Sequence, residues 1–367
     1  MNKIGFILLW FLCSSGCLIA QKTGNDRKIV IVTFDGYRWK DVFRGADSAL
    51  FFAKLTGSKD SAQRVTEFWG ATTTERREKL MPFFWKTIAA KGQVYGNRDL
   101  DSKVNVTNRY WFSYPGYNEI FTGFPDTVIN SNDYPANPNV TMQEFMNGQP
   151  GYKGKVAAFT SWIAFTRILN AERSGIPVNA GYAAFEGPNV NEAQKVLSDA
   201  QFLVPKPFGE HERPDAITWL LAKEYMKQEH PKILQVSFIE TDAFGHQDKY
   251  DAYLQSARNN DAMLEDLWKT LQSDPFYKDQ TTLYIATDHG RGDGGDWTHH
   301  NNKTPGSEQI WFAVMGPYTP SLGETKNIQL YQNQYARTMA ALLGFDFPGT
   351  AAHPAGPIIP GVIKNKK

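Results

Sequence analysis

The stretch 281–300 concentrates residue types that bind divalent cations. It holds three of the seven histidines in the chain. Asp288 and His289 directly follow a run of β-branched and aromatic residues, Thr281–Thr287, which predicts a buried strand. Carboxylates and imidazoles are the usual ligands of Zn²⁺ when no thiolate is available. The stretch therefore predicts part of a metal site, and further ligands must come from elsewhere in the chain.

Two other strand-like runs, the largely apolar 28–34 and the segment 232–239, also lead into acidic residues. Asp35 follows the first run directly, and Asp242 lies shortly after the second. Asp242 and His246 are four residues apart, so on one helical turn they face the same side, although an Asp–His surface pair has the same spacing. Ligands of parallel sheets gather beyond the carboxyl ends of strands, so we expect these side chains to meet.

Ser113 is the candidate nucleophile. Pro115 suits the first turn of a helix, which we predict to extend to Thr122 and to end at Gly123. The N-terminus of a helix favours negative charge, such as a serine alkoxide or a bound phosphate. From these residues alone, a serine that only caps the helix is an equally good interpretation.

The order of the elements predicts the fold class. Strand patterns alternate with helical ones, which indicates an α/β fold with a largely parallel central sheet, helices on both faces and the site at the carboxyl ends of the strands. We expect one catalytic domain over residues 21–367. The segment 125–150 is predicted to be a long loop, 50–74 to be irregular, and 309–315 to form one strand.

The N-terminus predicts export. Residues 1–20 combine Lys3, a short apolar run and small residues, which is typical of a signal peptide cut after Ala20. An uncleaved membrane anchor and lipid attachment at Cys17 are the alternatives. The only cysteines, Cys13 and Cys17, lie in this leader, so the mature chain would have no disulfide. We therefore expect a periplasmic or secreted protein without a transmembrane segment.

The composition argues against a polymeric anion as partner. The formal net charge is +1, so the chain as a whole does not attract nucleic acid. We expect a small-molecule substrate, and the composition does not predict an oligomeric state.

Taken together, the motifs resemble the alkaline phosphatase superfamily, in particular its nucleotide pyrophosphatase/phosphodiesterase-like branch. The matching segments, in chain order, are IVTFDGYR, FSYPGYNEIFTG, ETDAFGH, TDHG and WTHH. Each motif alone is weak, but together they span most of the chain.

This resemblance implies two Zn²⁺ ions, with another divalent cation as the alternative. It also implies that Ser113 is the nucleophile, because it stands where the family places a Ser or Thr nucleophile. One ion would be held by Asp242, His246 and a histidine of the pair His299–His300, and the other by Asp35, Asp288 and His289. In the family pattern, a Thr after Trp stands two residues before the final histidine, so His300 is preferred to His299. The implied mechanism is attack by the serine on phosphorus, with a phosphoserine intermediate.

The resemblance is less complete for the substrate-binding residues. The branch usually has Asn after the Pro of its nucleophile motif, where this chain has Gly116. An asparagine that contacts the phosphoryl oxygen would correspond to Asn130 or Asn132, with Asn118 or a backbone N–H as alternatives. The candidates for a phosphate-binding arginine are Arg38, Arg167 and Arg291.

We therefore predict a di-zinc hydrolase of phosphoric esters and leave open whether it prefers monoesters or diesters. A sulfatase of the same superfamily is the nearest alternative, but the motif that yields formylglycine needs an arginine where this chain has Tyr117. An exported, non-catalytic metal-binding protein on the same fold is the alternative from another class. Of the segments that would contact substrate, 45–75 and 125–190 are the candidates.

Overall fold

A computed structural model describes residues 26–55, 60–186 and 190–364 of the chain. The predicted leader, with Cys13, Cys17 and the cleavage point after Ala20, lies outside these residues. Among the described helices, none has the length and apolar character that crossing a membrane requires.

The described strands form two sheets. They are β1 Lys28–Phe34, β2 Gln93–Tyr95, β3 Ser102–Asn105, β4 Val156–Thr160, β5 Val178–Ala180, β6 Ile233–Phe238, β7 Thr281–Thr287, β8 Gln309–Ile310, β9 Phe312–Met315, β10 Gly323–Glu324 and β11 Ile328–Tyr331. Eight of them make the main sheet, in the order β10-β2-β9-β7-β1-β6-β4-β5, and β11-β3-β8 make the small one. In the main sheet only β9 is antiparallel to its neighbours, so the predicted, largely parallel sheet is confirmed.

Helices cover both faces of the main sheet. They are α1 Trp39–Arg44, α2 Ser48–Leu55, α3 Ser61–Phe68, α4 Thr73–Leu80, α5 Ala89–Lys91, α6 Ser113–Thr122, α7 Met142–Asn147, α8 Phe165–Ile168, α9 Ala171–Ser174, α10 Glu192–Ala200, α11 Asp215–Glu229, α12 Glu240–His246, α13 Tyr250–Ser273 and α14 Tyr335–Leu342. A π-helix spans Phe84–Ile88, and short 3₁₀ helices span Arg98–Leu100, Gly294–Thr298 and Gln332–Gln334.

The central strand β1 shows why helices are needed on both faces. Val30 and Val32 pack into one hydrophobic cluster, which also holds buried residues of α11 and α13. Ile29 and Ile31 pack into a second cluster, with residues of α6 and α14. A strand that is apolar on both faces must be covered on both faces, and the α/β fold class is confirmed.

Three predicted elements are wrong in whole or in part. The segment 125–150 is not all loop, because α7 lies within it and Thr141 caps that helix through a hydrogen bond from Glu144 N to its Oγ1, 3.1 Å long. The segment 50–74 is mostly helical, in α2, α3 and the start of α4. The strand predicted at 309–315 is divided at Trp311, where the chain leaves the small sheet and enters the main one.

Candidate active site

Adjacent strands bring the candidate ligands together. In the main sheet β1 lies between β6 and β7, and Phe34 is paired with Phe238 on one side and Thr287 on the other. The three strands therefore end at the same level, and Asp35 and Asp288 emerge side by side. α12 begins shortly after β6 and carries Asp242 to the same edge.

The first group of candidate ligands consists of Asp35, Asp288 and His289, and all three side chains are buried. His289 Nε2 lies 3.3 Å from Asp35 Oδ1 and 3.4 Å from Asp288 Oδ2. Two ligand atoms of a tetrahedral zinc ion, each at about 2.1 Å, lie about 3.4 Å apart. The separations therefore fit one shared cation.

Hydrogen bonds orient this first group towards a common point. Asp288 Oδ1 accepts from Gly36 N at 3.0 Å, and Asp35 Oδ2 accepts from Tyr117 OH at 3.0 Å. His289 Nδ1 lies 2.8 Å from the Gly290 carbonyl and must donate to it, which makes Nε2 the ligand atom. Asp288 Oδ2 is buried and has no hydrogen-bond partner among the described residues. A buried carboxylate oxygen of this kind needs a cation or a proton, so the group fits a metal ion.

The second group consists of Asp242, His246 and His300. His246 Nε2 lies 3.2 Å from Asp242 Oδ2 and 2.8 Å from His300 Nε2, and His300 Nε2 lies 3.6 Å from Asp242 Oδ1. His289 Nε2 is 3.9 Å from Asp242 Oδ1, so the two groups adjoin. Of the pair His299–His300, it is His300 whose Nε2 lies beside Asp242 and His246, which favours His300 as the ligand.

Crowding of the acidic side chains shifts their pKa values. Burial raises the pKa of Asp35, and Asp242 raises it further. Burial and the charge of Asp35 raise the pKa of Asp288 well above its usual range. Burial alone would lower the pKa of His289, but Asp288, Asp35 and Asp242 together raise it to about 9. Without a metal ion, the neighbouring carboxylates therefore favour the protonated form of the His289 ring.

Chelator-treated protein is expected to lose stability as the pH rises. The pKa of His289 rises on folding to about 9, so its contribution is complete below about pH 6.5 and is lost as the pH passes 9. Glu212 acts in the same direction, because burial and then Asp242 and Asp35 raise its pKa to about 8. Melting curves between pH 6 and 9, with and without zinc, measure this effect. Since a ligand imidazole must be neutral, zinc should weaken the decline, and a decline that zinc does not change would contradict the assignment of His289.

Ser113 lies at the N-terminus of α6, beside the first group. Its Oγ is 3.3 Å from His289 Nε2 and 3.5 Å from Asp35 Oδ1. Tyr114 N donates to Asn132 Oδ1 at 2.9 Å. The side-chain amide of Asn132 therefore lies beside the residue that follows Ser113. Its oxygen already accepts a hydrogen bond, so its NH₂ group is the part that can contact a substrate.

Gly116 explains the departure from the family pattern noted above. A Cβ atom at this position would lie 2.7 Å from the Asp288 carbonyl oxygen, closer than a van der Waals contact allows. The absence of a side chain therefore lets α6 approach the end of β7, and an asparagine would not fit here.

The other predicted substrate contacts lie elsewhere. Asn130 is exposed. Arg38 is buried and forms a two-point ion pair with Asp41, with Nε–Oδ2 at 2.6 Å and Nη2–Oδ1 at 2.9 Å, so it is not directed at Ser113. Arg167 donates to the carbonyls of Asn132 and Tyr134.

The structure adds Glu212 to the site and gives Arg291, which the sequence offered only as one of three candidate phosphate-binding arginines, a carboxylate as its partner. Arg291 pairs with Asp242, although among three candidate arginines nothing in its local sequence singled it out. Glu212 is partly buried, and its pKa responds to Asp242 and Asp35. It follows no strand pattern, and its neighbour across the fold is Trp162, through an isolated bridge, which no local signal reveals.

Comparisons with known proteins agree with the fold. The computed structure is similar to the alkaline phosphatase PafA (TM-score 0.61, 11% identity, 92% of this chain and 99% of that chain). It is also similar to the lipoteichoic acid synthase LtaP from Listeria monocytogenes (TM-score 0.56, 11% identity, 90% and 74%). A third similar structure is a 2-O GAG sulfatase (TM-score 0.53, 14% identity, 88% and 71%). At these identities the likeness shows the fold alone.

The comparison by sequence assigns the family. A search of curated proteins gives no significant match. The family model for type I phosphodiesterase / nucleotide pyrophosphatase matches residues 82–333, more than half of the chain and a span that includes Ser113 and the ends of β6 and β7. The chain therefore belongs to the type I phosphodiesterase / nucleotide pyrophosphatase family of the alkaline phosphatase superfamily, whose members are metal-dependent hydrolases of phosphate or sulfate esters.

Proposed function

We propose that this protein is a di-zinc hydrolase of phosphoric esters with Ser113 as its nucleophile. The observation that carries the proposal is the position of Ser113 Oγ, 3.3 Å from His289 Nε2 and 3.5 Å from Asp35 Oδ1, at the N-terminus of α6. A hydroxyl in this position lies beside a candidate cation site and at the positive end of a helix dipole. Both favour its ionised form.

The two groups of side chains are proposed to hold one ion each. Asp35, Asp288 and His289 would hold one, and Asp242, His246 and His300 the other. Two bound zinc ions would supply Lewis-acid stabilisation of the phosphoryl oxygens and lower the pKa of the serine hydroxyl. Three carboxylates in one buried site are otherwise costly, which agrees with a site built for cations.

The residues of the chain then have separate tasks. Ser113 attacks phosphorus in line with the leaving oxygen, and the alcohol departs. Water hydrolyses the resulting phosphoserine and restores the hydroxyl. Asn132, fixed through Tyr114 N, presents its NH₂ group to a phosphoryl oxygen. Tyr117 holds Asp35 through Oδ2, so that Oδ1 faces the serine.

The alternative functions fit less well. In the sulfatase motif an arginine would stand at the position of Tyr117, but Tyr117 is buried and donates to Asp35. A non-catalytic metal-binding protein would not need a serine hydroxyl beside the ligands. We further propose that 21–367 is one catalytic domain, that the chain is exported by its N-terminal leader, and that its partner is a small phosphate ester.

One purified sample tested on three esters distinguishes these functions. We expect turnover of a nitrophenyl phosphate monoester, the matching diester, or both, and much slower turnover of the nitrophenyl sulfate. The ratio of the two phosphate rates also decides between monoesterase and diesterase. Faster hydrolysis of the sulfate would favour a sulfatase, and failure on all three esters with zinc bound would contradict the proposal.

A further inference from the structure

Arg291 lies inside the proposed metal site and has no part in the mechanism above. Its side chain is fully buried, and Nη1 donates to Asp242 Oδ1. Nε donates to the Trp297 carbonyl at 2.9 Å, and Nη2 donates to the Thr298 carbonyl at 2.6 Å. The guanidinium is thus fixed by two backbone carbonyls and directed at one carboxylate.

Two glycines make room for this ion pair. A Cβ atom at Gly245 would lie 2.8 Å from Arg291 Cζ, and a Cβ atom at Gly36 would overlap Asp242 Oδ1. Such separations are shorter than van der Waals contact, so a larger residue at either position would displace the guanidinium or the carboxylate. The fold around the pair is therefore shaped to hold it.

Arg291 and a metal ion of the second group would share Asp242. Oδ1 is already paired with Arg291, while Oδ2 lies 3.2 Å from His246 Nε2. Two cations on one carboxylate repel each other. The ion pair between Arg291 and Asp242 therefore weakens binding of the metal ion. By linkage, binding of the metal ion weakens the ion pair by the same free energy.

We propose that Arg291 is a positioning residue that holds the Asp242 carboxylate in place when no ion is bound, and that by sharing this carboxylate it weakens binding of the ion held by Asp242, His246 and His300. The proposal rests on the proposed function for the identity of that ion. Removing one partner of a buried ion pair leaves the other uncompensated. Arg291 should therefore stabilise the folded protein most when no ion is bound.

Melting temperatures with and without zinc test the proposal. After chelation, Arg291→Met should melt below the wild type, and adding zinc should raise its Tm by more than it raises that of the wild type. Arg291→Lys keeps the positive charge, so the rise in Tm that zinc causes in this variant should lie nearer the wild-type value. A zinc-induced rise in Arg291→Met that is equal to or smaller than in the wild type would overturn the proposal.

A matched ion pair provides the control. Arg77 pairs with Glu324, with Nη2–Oε2 at 2.9 Å, at the β10 edge of the sheet. Arg77→Met should lower the Tm by the same amount with and without zinc. A difference between the two metal conditions that is confined to Arg291 cannot come from lost packing alone.

A second variant tests the pair without any metal. In chelator, Asp242→Asn should lower the Tm, because Arg291 loses its buried carboxylate partner. If Arg291 did not compensate Asp242, neutralising one of three neighbouring carboxylates would relieve repulsion, so a raised or unchanged Tm would overturn the proposal. This experiment needs no ion and no ester, so it separates failure of this proposal from failure of the proposed function.

Discussion

Replacement of Ser113 with alanine is expected to lower kcat for a phosphate ester by about 10³-fold or more, which corresponds to about 4 kcal/mol. The serine hydroxyl is the group that lies beside both His289 and Asp35, and alanine removes the attacking oxygen while it preserves the helix. The metal content should remain that of the wild type. Steady-state kinetics and metal analysis of the same sample measure both.

Ser113→Thr is the matched control for this substitution. It keeps a hydroxyl at the same position, and the family resemblance implies that either residue serves as nucleophile. We expect measurable turnover from the threonine variant and close to none from the alanine variant. If Ser113→Ala works at near the wild-type rate, then Ser113 is not the nucleophile.

Replacement of His300 with alanine is expected to remove one of two bound zinc ions and to lower the rate strongly. His300 Nε2 lies 2.8 Å from His246 Nε2 and 3.6 Å from Asp242 Oδ1, so the second group would keep only two ligands. Loss of an outer contact to a metal ligand typically weakens metal binding by about 10- to 100-fold, and loss of the ligand itself should cost more. Zinc bound per chain, measured after dialysis, is the readout.

His299 is the internal control for that experiment. It precedes His300 directly in the chain but is exposed. His299→Ala should therefore keep the metal content and rate of the wild type. The reverse result, with metal lost from His299→Ala and kept in His300→Ala, would show that the wrong histidine has been assigned.

The positions of Asp35 and Asp288 could be predicted from the sequence because the strands that precede them could be predicted. Lys28–Phe34 and Thr281–Thr287 have the bounds that their sequence patterns predicted, since a strand covered on both faces is rich in apolar, β-branched and aromatic residues. Parallel neighbours then place the residue after each strand at one edge. These two facts predict that Asp35 and Asp288 lie side by side.

The contacts around the carboxylates were not predictable in the same way. Arg38 follows Asp35 by three residues, yet its guanidinium pairs with Asp41, three residues further on at the start of α1. Asn132 reaches Tyr114 through a loop whose path depends on tertiary packing. Arg291 could be identified as a neighbour of Asp242 only after α12 and the loop following β7 were placed together. Local patterns carry no information on such contacts.

The most direct test of the central claim is a zinc titration of the chelated protein, followed by hydrolysis of the nitrophenyl phosphate ester that the wild type prefers. The account predicts almost no activity without metal and a rise that levels off at two zinc ions per chain. Ser113→Ala should bind the same two ions and remain inactive. Full activity in the chelated protein, or no phosphate ester hydrolysis with two ions bound, would contradict the account.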